Sequence, residues 1–292
     1  MEILQTGRIE IAYEASGSGD AGVVILIRGQ GTQLIHWPAS FYDAFSNRGF
    51  LTIRFDNRDT GLSTKFDSIA GRELEALKKR LTAGEDIDPP YTMDDMALDV
   101  VALMDKLDIE TAHIAGISMG GFITQLLAVQ YPERVISMTS IMSGSGPVDP
   151  ALIDSLWSVP STREAYIQEW VEYIRQFGSK QYFESDEYER RVAAAAFDRC
   201  YSPDGANRQL LAIFSRTNPK EAVKSITVPS LVVHGSDDSL ISPSRGRETA
   251  SLVPGATFQL VDGMGHDIPP RLGEPLAEIV LRHILSTANR KA

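Results

Sequence analysis

Thr111-Ala112-His113-Ile114-Ala115-Gly116-Ile117-Ser118-Met119-Gly120-Gly121 decides how the rest of the chain is read. A short apolar run leads into Gly-x-Ser-x-Gly, and Phe122, Leu126, Leu127, Val129 and Gln130 then follow at helical period. The pattern predicts a strand turning sharply into a helix with a serine at the corner, a nucleophile elbow. The spacing has a steric reason. The serine takes a strained backbone conformation, so the residues two before and two after must lack bulk for strand and helix to pass closely. The turn also aims the Met119 N–H and the positive helix end at any oxygen that gathers charge there.

Working outward, Val23-Val24-Ile25-Leu26-Ile27 is apolar on both faces, as a central parallel strand requires. It ends at Arg28-Gly29-Gln30-Gly31, and Trp37-Pro38 opens a helix carrying Phe41 and Phe45. Leu51 to Asp56 is another strand, running into Asn57-Arg58-Asp59-Thr60-Gly61-Leu62-Ser63, while residues 2–16 read as two more. Residues 64–90 are charged and predict an exposed, part-helical excursion. Thr92 caps the next helix with Asp95 three residues on, and Met96, Val100, Leu103, Met104 and Leu107 share one face of it. After the elbow, Val135 to Met142 is a buried strand, and the sheet pattern returns at Val228 to Gly235 and at Thr257 to Val261. A last helix is expected from about Glu274 to Leu285. Between these strands the periods are helical and aromatics are dense. The expectation is α/β: a doubly wound, mostly parallel sheet, with residues 1–143 and 224–292 as its core and a helical lid, residues 144–223, inserted after the sixth strand.

The 292 residues, 43% hydrophobic and 23% charged, are ordinary for a globular protein. A net charge of −11 excludes a nucleic-acid partner, because the densest basic run, Lys78-Lys79-Arg80, reads as one solvated helix face. The single cysteine, Cys200, leaves no internal disulfide and fits a reducing compartment. Met1 to Gly7 lacks the pattern of a secretory signal, and nothing approaches the ~18 apolar residues of a membrane span. A cytoplasmic protein away from membranes is expected; oligomeric state has no sequence signal.

A serine hydroxyl needs a base to remove its proton, and the base needs an anion to orient it. In elbows of this kind the order is serine, acid, histidine. Of five histidines, His113 lies inside the elbow strand, His234 ends a strand, His283 sits on the last helix and His36 precedes the serine. His266 remains, in the Gly-rich loop Gly263-Met264-Gly265-His266-Asp267 after the last strand, where ligands meet open α/β sheets. Asp237 and Asp238, in Gly235-Ser236-Asp237-Asp238-Ser239-Leu240-Ile241, both qualify as the acid. Two N–H donors should hold the transition-state charge: that of Met119 and, from the loop after the central strand, that of Gln30, whose flanking glycines allow close approach. No metal-ligand spacing and no dinucleotide glycine pattern occur, so neither a metal nor a cofactor is expected.

With these pieces placed, the chain resembles the α/β-hydrolase fold superfamily over nearly its whole length. The elbow, Arg28-Gly29-Gln30-Gly31, the stretch Asp56 to Ser63 (where many members carry Asp-x-Arg-Gly-x-Gly-x-Ser), Gly235 to Ser242 and Gly263 to His266 carry the resemblance. It implies Asp238, rather than Asp237, as the acid. The chain looks most similar to lid-bearing serine esterases of the aclacinomycin methylesterase type, on Trp37-Pro38, Asp59-Thr60 and Gly263-Met264-Gly265-His266. The resemblance implies hydrolysis of carboxylic esters of a small to medium, largely apolar molecule through an acyl-enzyme. Ser118 would attack, His266 would move the proton, Asp238 would hold the imidazole, and the Gln30 and Met119 N–H groups would bind the oxyanion.

Trp157, Trp170 and Phe214 are candidate substrate contacts, although at least half of the lid aromatics should be lid core. The serine excludes dehalogenases and epoxide hydrolases of this fold, which use an aspartate at the elbow. Alternatives are a proline iminopeptidase type, with acidic lid groups among Glu164, Glu169, Glu172 and Glu184, a carbon–carbon bond hydrolase, a lactonase, a perhydrolase side activity, or a ligand receptor with vestigial hydrolysis. One departure stands out: most relatives have His-Gly where this chain has Arg28-Gly29. Arg28 is expected to pair with Asp56 or Asp59; the alternative is a positive charge that favours anionic substrates.

Overall fold

A computed structural model describes residues 1–67, 69–146, 152–159, 161–215 and 220–288. Its strands are β1 (Glu2–Gln5), β2 (Glu10–Ser16), β3 (Val23–Ile27), β4 (Leu51–Phe55), β5 (Ala112–Ile117), β6 (Val135–Ile141), β7 (Ser230–Gly235) and β8 (Thr257–Val261). They form one sheet in the order β1-β2-β4-β3-β5-β6-β7-β8. β1 and β2 pair antiparallel at one edge, β2 meets β4 antiparallel, and every later pairing is parallel. The mostly parallel sheet is the one expected from the sequence; the strand order is what the structure adds.

Alternate residues of the central strands enter opposite layers. Val24 and Leu26 pack with Trp37, Phe41 and Phe45, while Ile25 and Ile27 pack with Met96, Val100 and Leu126. Each such aliphatic side chain contributes about 1.5–3 kcal/mol when fully buried, which is why the strand runs are apolar without alternation. Helices α1 (Ala39–Ser46) and α11 (Pro270–Ala288) cover one face. α3 (Met93–Lys106) and α4 (Met119–Gln130) cover the other, with α10 (Pro243–Leu252) packed beside β7 and β8. Thr92 caps α3 as expected: its hydroxyl accepts from the Asp95 N–H at 3.2 Å, and the Asp95 carboxylate accepts from the Thr92 N–H at 3.0 Å. α11 begins four residues before the expected Glu274, because a proline at a helix start loses no needed N–H.

Between β6 and β7 lie α5 (Leu152–Leu156), α6 (Arg163–Phe177), α7 (Asp186–Arg199), α8 (Pro203–Ser215) and α9 (Lys220–Val223). α6 packs on α7. α8 is buried from Gly205 to Ala212, including Asn207, Arg208 and Gln209. The excursion at 64–90 carries α2 (Arg72–Thr82), which seats Leu74 in the interior and packs against α8, so it supports the helical insertion rather than standing free. Among the described residues no helix is long and apolar enough to cross a membrane.

Candidate active site

Ser118 sits between β5 and α4 with φ 52° and ψ −119°, the left-handed corner the motif predicts. The two nearest glycines are sterically required. A Cβ on Gly116 would lie 2.1 Å from the Gly120 carbonyl oxygen, and one on Gly120 would lie 2.1 Å from that of Ile27. The Ser118 N–H donates to the Ile141 carbonyl at 2.9 Å, which fixes the corner against β6.

The residues expected to act with Ser118 converge on it. His266 Nδ1 lies 2.8 Å from Asp238 Oδ2, and its Nε2 lies 3.1 Å from Ser118 Oγ. An ionised carboxylate only accepts, so Nδ1 carries the proton and Nε2 is free to accept from the serine hydroxyl. Asp238 Oδ1 takes the N–H groups of Leu240 and Ile241 at 3.0 and 2.8 Å, and His234 Nε2 stands 3.3 Å from Oδ2. Burial by itself would raise this carboxyl. The His266 charge and the hydrogen bonds from His234, His266 and Ile241 outweigh it and hold Asp238 well below the usual carboxylate range. Asp237, the other acid the sequence left open, is exposed and takes the Ser236 hydroxyl. His113 is buried within β5, 2.8 Å from the Ser137 hydroxyl.

Two further groups seat the histidine loop, and sequence reading missed both. The His266 N–H donates to the Phe177 carbonyl at 2.6 Å, at the end of α6. Ser179 donates its N–H to Asp267 Oδ1 at 2.8 Å and accepts the Gly265 N–H at 2.8 Å. The insertion thereby clasps the loop that carries His266. No local motif announces such a contact, since its partners lie far apart along the chain.

The loop after β3 is clasped in the same way by α8. Gln209 accepts the Gly31 N–H at 2.8 Å and donates to the Arg58 carbonyl at 2.7 Å, while Gln30 Nε2 donates to the Ala206 carbonyl at 3.0 Å. Gln30 and Met119 both border the cavity at Ser118. Met119 opens α4, so its N–H has no intrahelical acceptor. Gly29 brings the loop close: a Cβ there would lie 3.3 Å from the Ser118 Cβ.

Ser118 and His266 open into a cavity of about 580 Å³, walled largely by apolar side chains from the core and from α5 to α8. Trp170 and Phe214 line it, as expected, but Trp157 does not. The Trp157 indole N–H bonds Glu75 at 2.7 Å and the Lys78 ammonium lies over its ring, so α2 draws it away. None of the four glutamates named from the sequence lines the cavity; Glu189 does, only 5% exposed. It accepts from the Trp170 indole at 2.9 Å. Burial pushes its carboxyl up to about 7 against that hydrogen bond, with Asp267 and Glu184 adding to the rise.

The expected pairing of Arg28 with Asp56 or Asp59 is not what the structure holds. Asp56 pairs with Arg199 at 2.7 Å, and Asp59 takes Arg208 through two bonds of 2.8 Å. Both carboxylates are satisfied by arginines of the helices between β6 and β7 that sequence separation hid, and Arg28 borders the cavity instead.

The family model for the alpha/beta hydrolase fold matches residues 22–269, and the chain belongs to that family. It is 28% identical to rhodomycin D methylesterase DauP of Streptomyces sp. (strain C5), over 94% of this chain and 95% of that one. Among solved structures it is similar to the enol-lactonase from Burkholderia xenovorans LB400, with a TM-score of 0.76 and 22% identity over 97% of this chain and 100% of that chain. The meta-cleavage product hydrolase from Pseudomonas fluorescens IP01 gives a TM-score of 0.77 and 20% identity, covering 97% of both chains. These two likenesses are of fold.

Proposed function

We propose that the chain is a serine esterase that cleaves carboxylic esters of small to medium, largely apolar molecules. The observation carrying this reading is the hydrogen-bonded relay from Asp238 through His266 to Ser118, opening into the cavity. Ser118 Oγ attacks the ester carbonyl as His266 Nε2 takes its proton, and Asp238 stabilises the imidazolium that forms. The oxyanion is held by the N–H groups of Gln30 and Met119. The imidazolium protonates the departing alcohol, and water, activated by the same ring, releases the acid from the acyl-enzyme. A methylesterase relative over nearly the full length supports the ester class. In this reading residues 1–143 and 224–292 form the catalytic core and 144–223 the lid, with Trp170 and Phe214 as substrate contacts. The compartment is the cytoplasm, and the partner is a small-molecule ester. A panel of p-nitrophenyl esters of increasing acyl length tests it. Wild type should turn over at least one, and Ser118→Ala should lose about 10⁴-fold or more with its melting transition kept. Turnover that survives the substitution overturns the assignment.

A second reading, an amine-bearing substrate as for the proline iminopeptidase type, draws on Glu189 alone. Proline p-nitroanilide cleaved faster than any ester in the panel would favour it.

A further inference from the structure

Arg28 is 7% exposed and borders the cavity beside Gly29, where an added Cβ would lie 3.3 Å from that of Ser118. Its Nε donates weakly to the Thr32 hydroxyl at 3.3 Å, and its guanidinium lies over the Trp37 ring at 5.0 Å. Among the described residues no carboxylate comes within ion-pair distance of it, because Asp56 and Asp59 are taken by Arg199 and Arg208. A buried guanidinium without a contacting anion is costly, and its fork geometry matches a carboxylate. The neighbouring groups leave it as a fixed charge. Burial lowers Arg28 to about 9, which still leaves it cationic at neutral pH, and burial followed by the Arg28 charge pushes His36 down to about 3. Of the acids lining the cavity, Glu189 is raised by burial to about 7, and Asp267, which burial also raises, accepts the Ser179 N–H at 2.8 Å and acts on Arg28 only from beyond ion-pair distance. Arg245, the other cation at the wall, donates to the Gly146 carbonyl.

We infer that Arg28 is a specificity determinant: the ester this enzyme takes carries a carboxylate, on its acyl or its alcohol part, that the Arg28 guanidinium receives beside Ser118. The inference rests on the esterase reading and names the substrate class within it. Trp37 and Thr32 hold the guanidinium plane, so binding the anion needs no rearrangement of the loop that also supplies the Gln30 N–H.

The test uses two isosteric pairs: p-nitrophenyl glutarate against p-nitrophenyl glutaramate, and 3-carboxyphenyl butyrate against 3-carbamoylphenyl butyrate. Within each variant the reading is the ratio of kcat/KM for carboxylate over amide. Wild type should favour the carboxylate in at least one pair. Arg28→Met should lower that ratio by about 30-fold or more, chiefly through KM, as losing one partner of a desolvated charge pair does. Arg28→Lys, which keeps the charge but not the fork, should retain part of the preference. A binding arm separates this inference from the esterase reading. Ser118→Ala is titrated calorimetrically with glutarate and with 3-hydroxybenzoate, and Ser118→Ala/Arg28→Met should lose the binding seen. If no ester is hydrolysed while Arg28-dependent anion binding persists, the esterase reading fails and the anion site stands. If neither pair prefers the carboxylate, or Arg28→Met lowers both members equally, the anion site is overturned and Arg28 serves only to pack the loop.

Discussion

Asp237 and Asp238 are adjacent in sequence and chemically alike, yet only one can orient the base. Asp238→Asn keeps the shape but loses the charge that stabilises an imidazolium, and its amide can offer the ring a donor where an acceptor is needed. By analogy with other triads kcat should fall by about 10³–10⁴-fold. Asp237→Asn, at an exposed site, should stay within about threefold. Steady-state kinetics on one ester decides this, and equal losses would reject Asp238 as the orienting group. Ser118 itself is strained at φ 52°, which costs of order 1–3 kcal/mol. Ser118→Gly should therefore raise stability by about 1 kcal/mol, after allowing for the greater freedom of glycine in the unfolded chain, readable by urea unfolding. Glu189 gives a pH signature. Its carboxyl is raised by burial from 4.5 to about 7, so the stability it lends is full below the unfolded value and is lost as pH climbs through about 7. Glu189→Gln escapes that loss, so its melting temperature relative to wild type should rise between about pH 5 and pH 8. A flat difference would mean that Glu189 is not titrating in place. At this scale the sequence disclosed residues whose chemistry has a motif, Ser118 and His266. It singled out Arg28 but paired it with the wrong partners, and it passed over Glu189, because which distant side chains reach a buried group has no local signal.

The elements that carry the chemistry were readable because both their faces are buried. β3 and β5 are apolar without alternation, and α4 is apolar nearly all round, signals no surface segment gives. The helices between β6 and β7 resisted reading for the opposite reason. Asn207-Arg208-Gln209 looks like a solvated turn of helix, yet it is buried because α8 lies across the two loops that follow β3 and β4. Asp59, held at φ 70°, is the anchor: its carboxylate and the Arg208 guanidinium are both fully buried and joined by two bonds. Removing one partner leaves a buried charge uncompensated. Arg208→Leu should cost about 3–5 kcal/mol, and Arg208→Leu/Asp59→Asn should recover part of it, since no lone carboxylate remains. Chemical denaturation of the two variants provides the comparison. If the double variant is no more stable than the single one, the ion pair is not what binds α8 to the loop. Trp157 shows the same limit: a large aromatic in the insertion reads as a pocket wall until Glu75, on an excursion 82 residues away in sequence, is seen to claim its N–H.

For the whole molecule, Ser118, Asp238 and His266 follow the ends of β5, β7 and β8, so the sheet brings to one rim groups that 148 residues separate. The chain as a whole carries a net charge of −11, while Arg28 places a positive charge at the cavity. A carboxylate substrate therefore meets repulsion on approach and attraction on arrival, and salt separates the two. The Debye length shrinks from about 30 Å at 0.01 M to about 8 Å at 0.15 M, which screens the long-range field strongly but a desolvated pair only weakly. Raising ionic strength over that range should increase kcat/KM for the preferred carboxylate ester by about two- to fivefold and leave its amide isostere nearly constant, because only the charged substrate feels the global field. The opposite sign, a carboxylate ester that slows as salt rises, would mean that local attraction governs encounter as well as binding. In Arg28→Met the rise with salt should persist although the preference is gone, since the net negative charge of the whole chain, not the cavity cation, produces it.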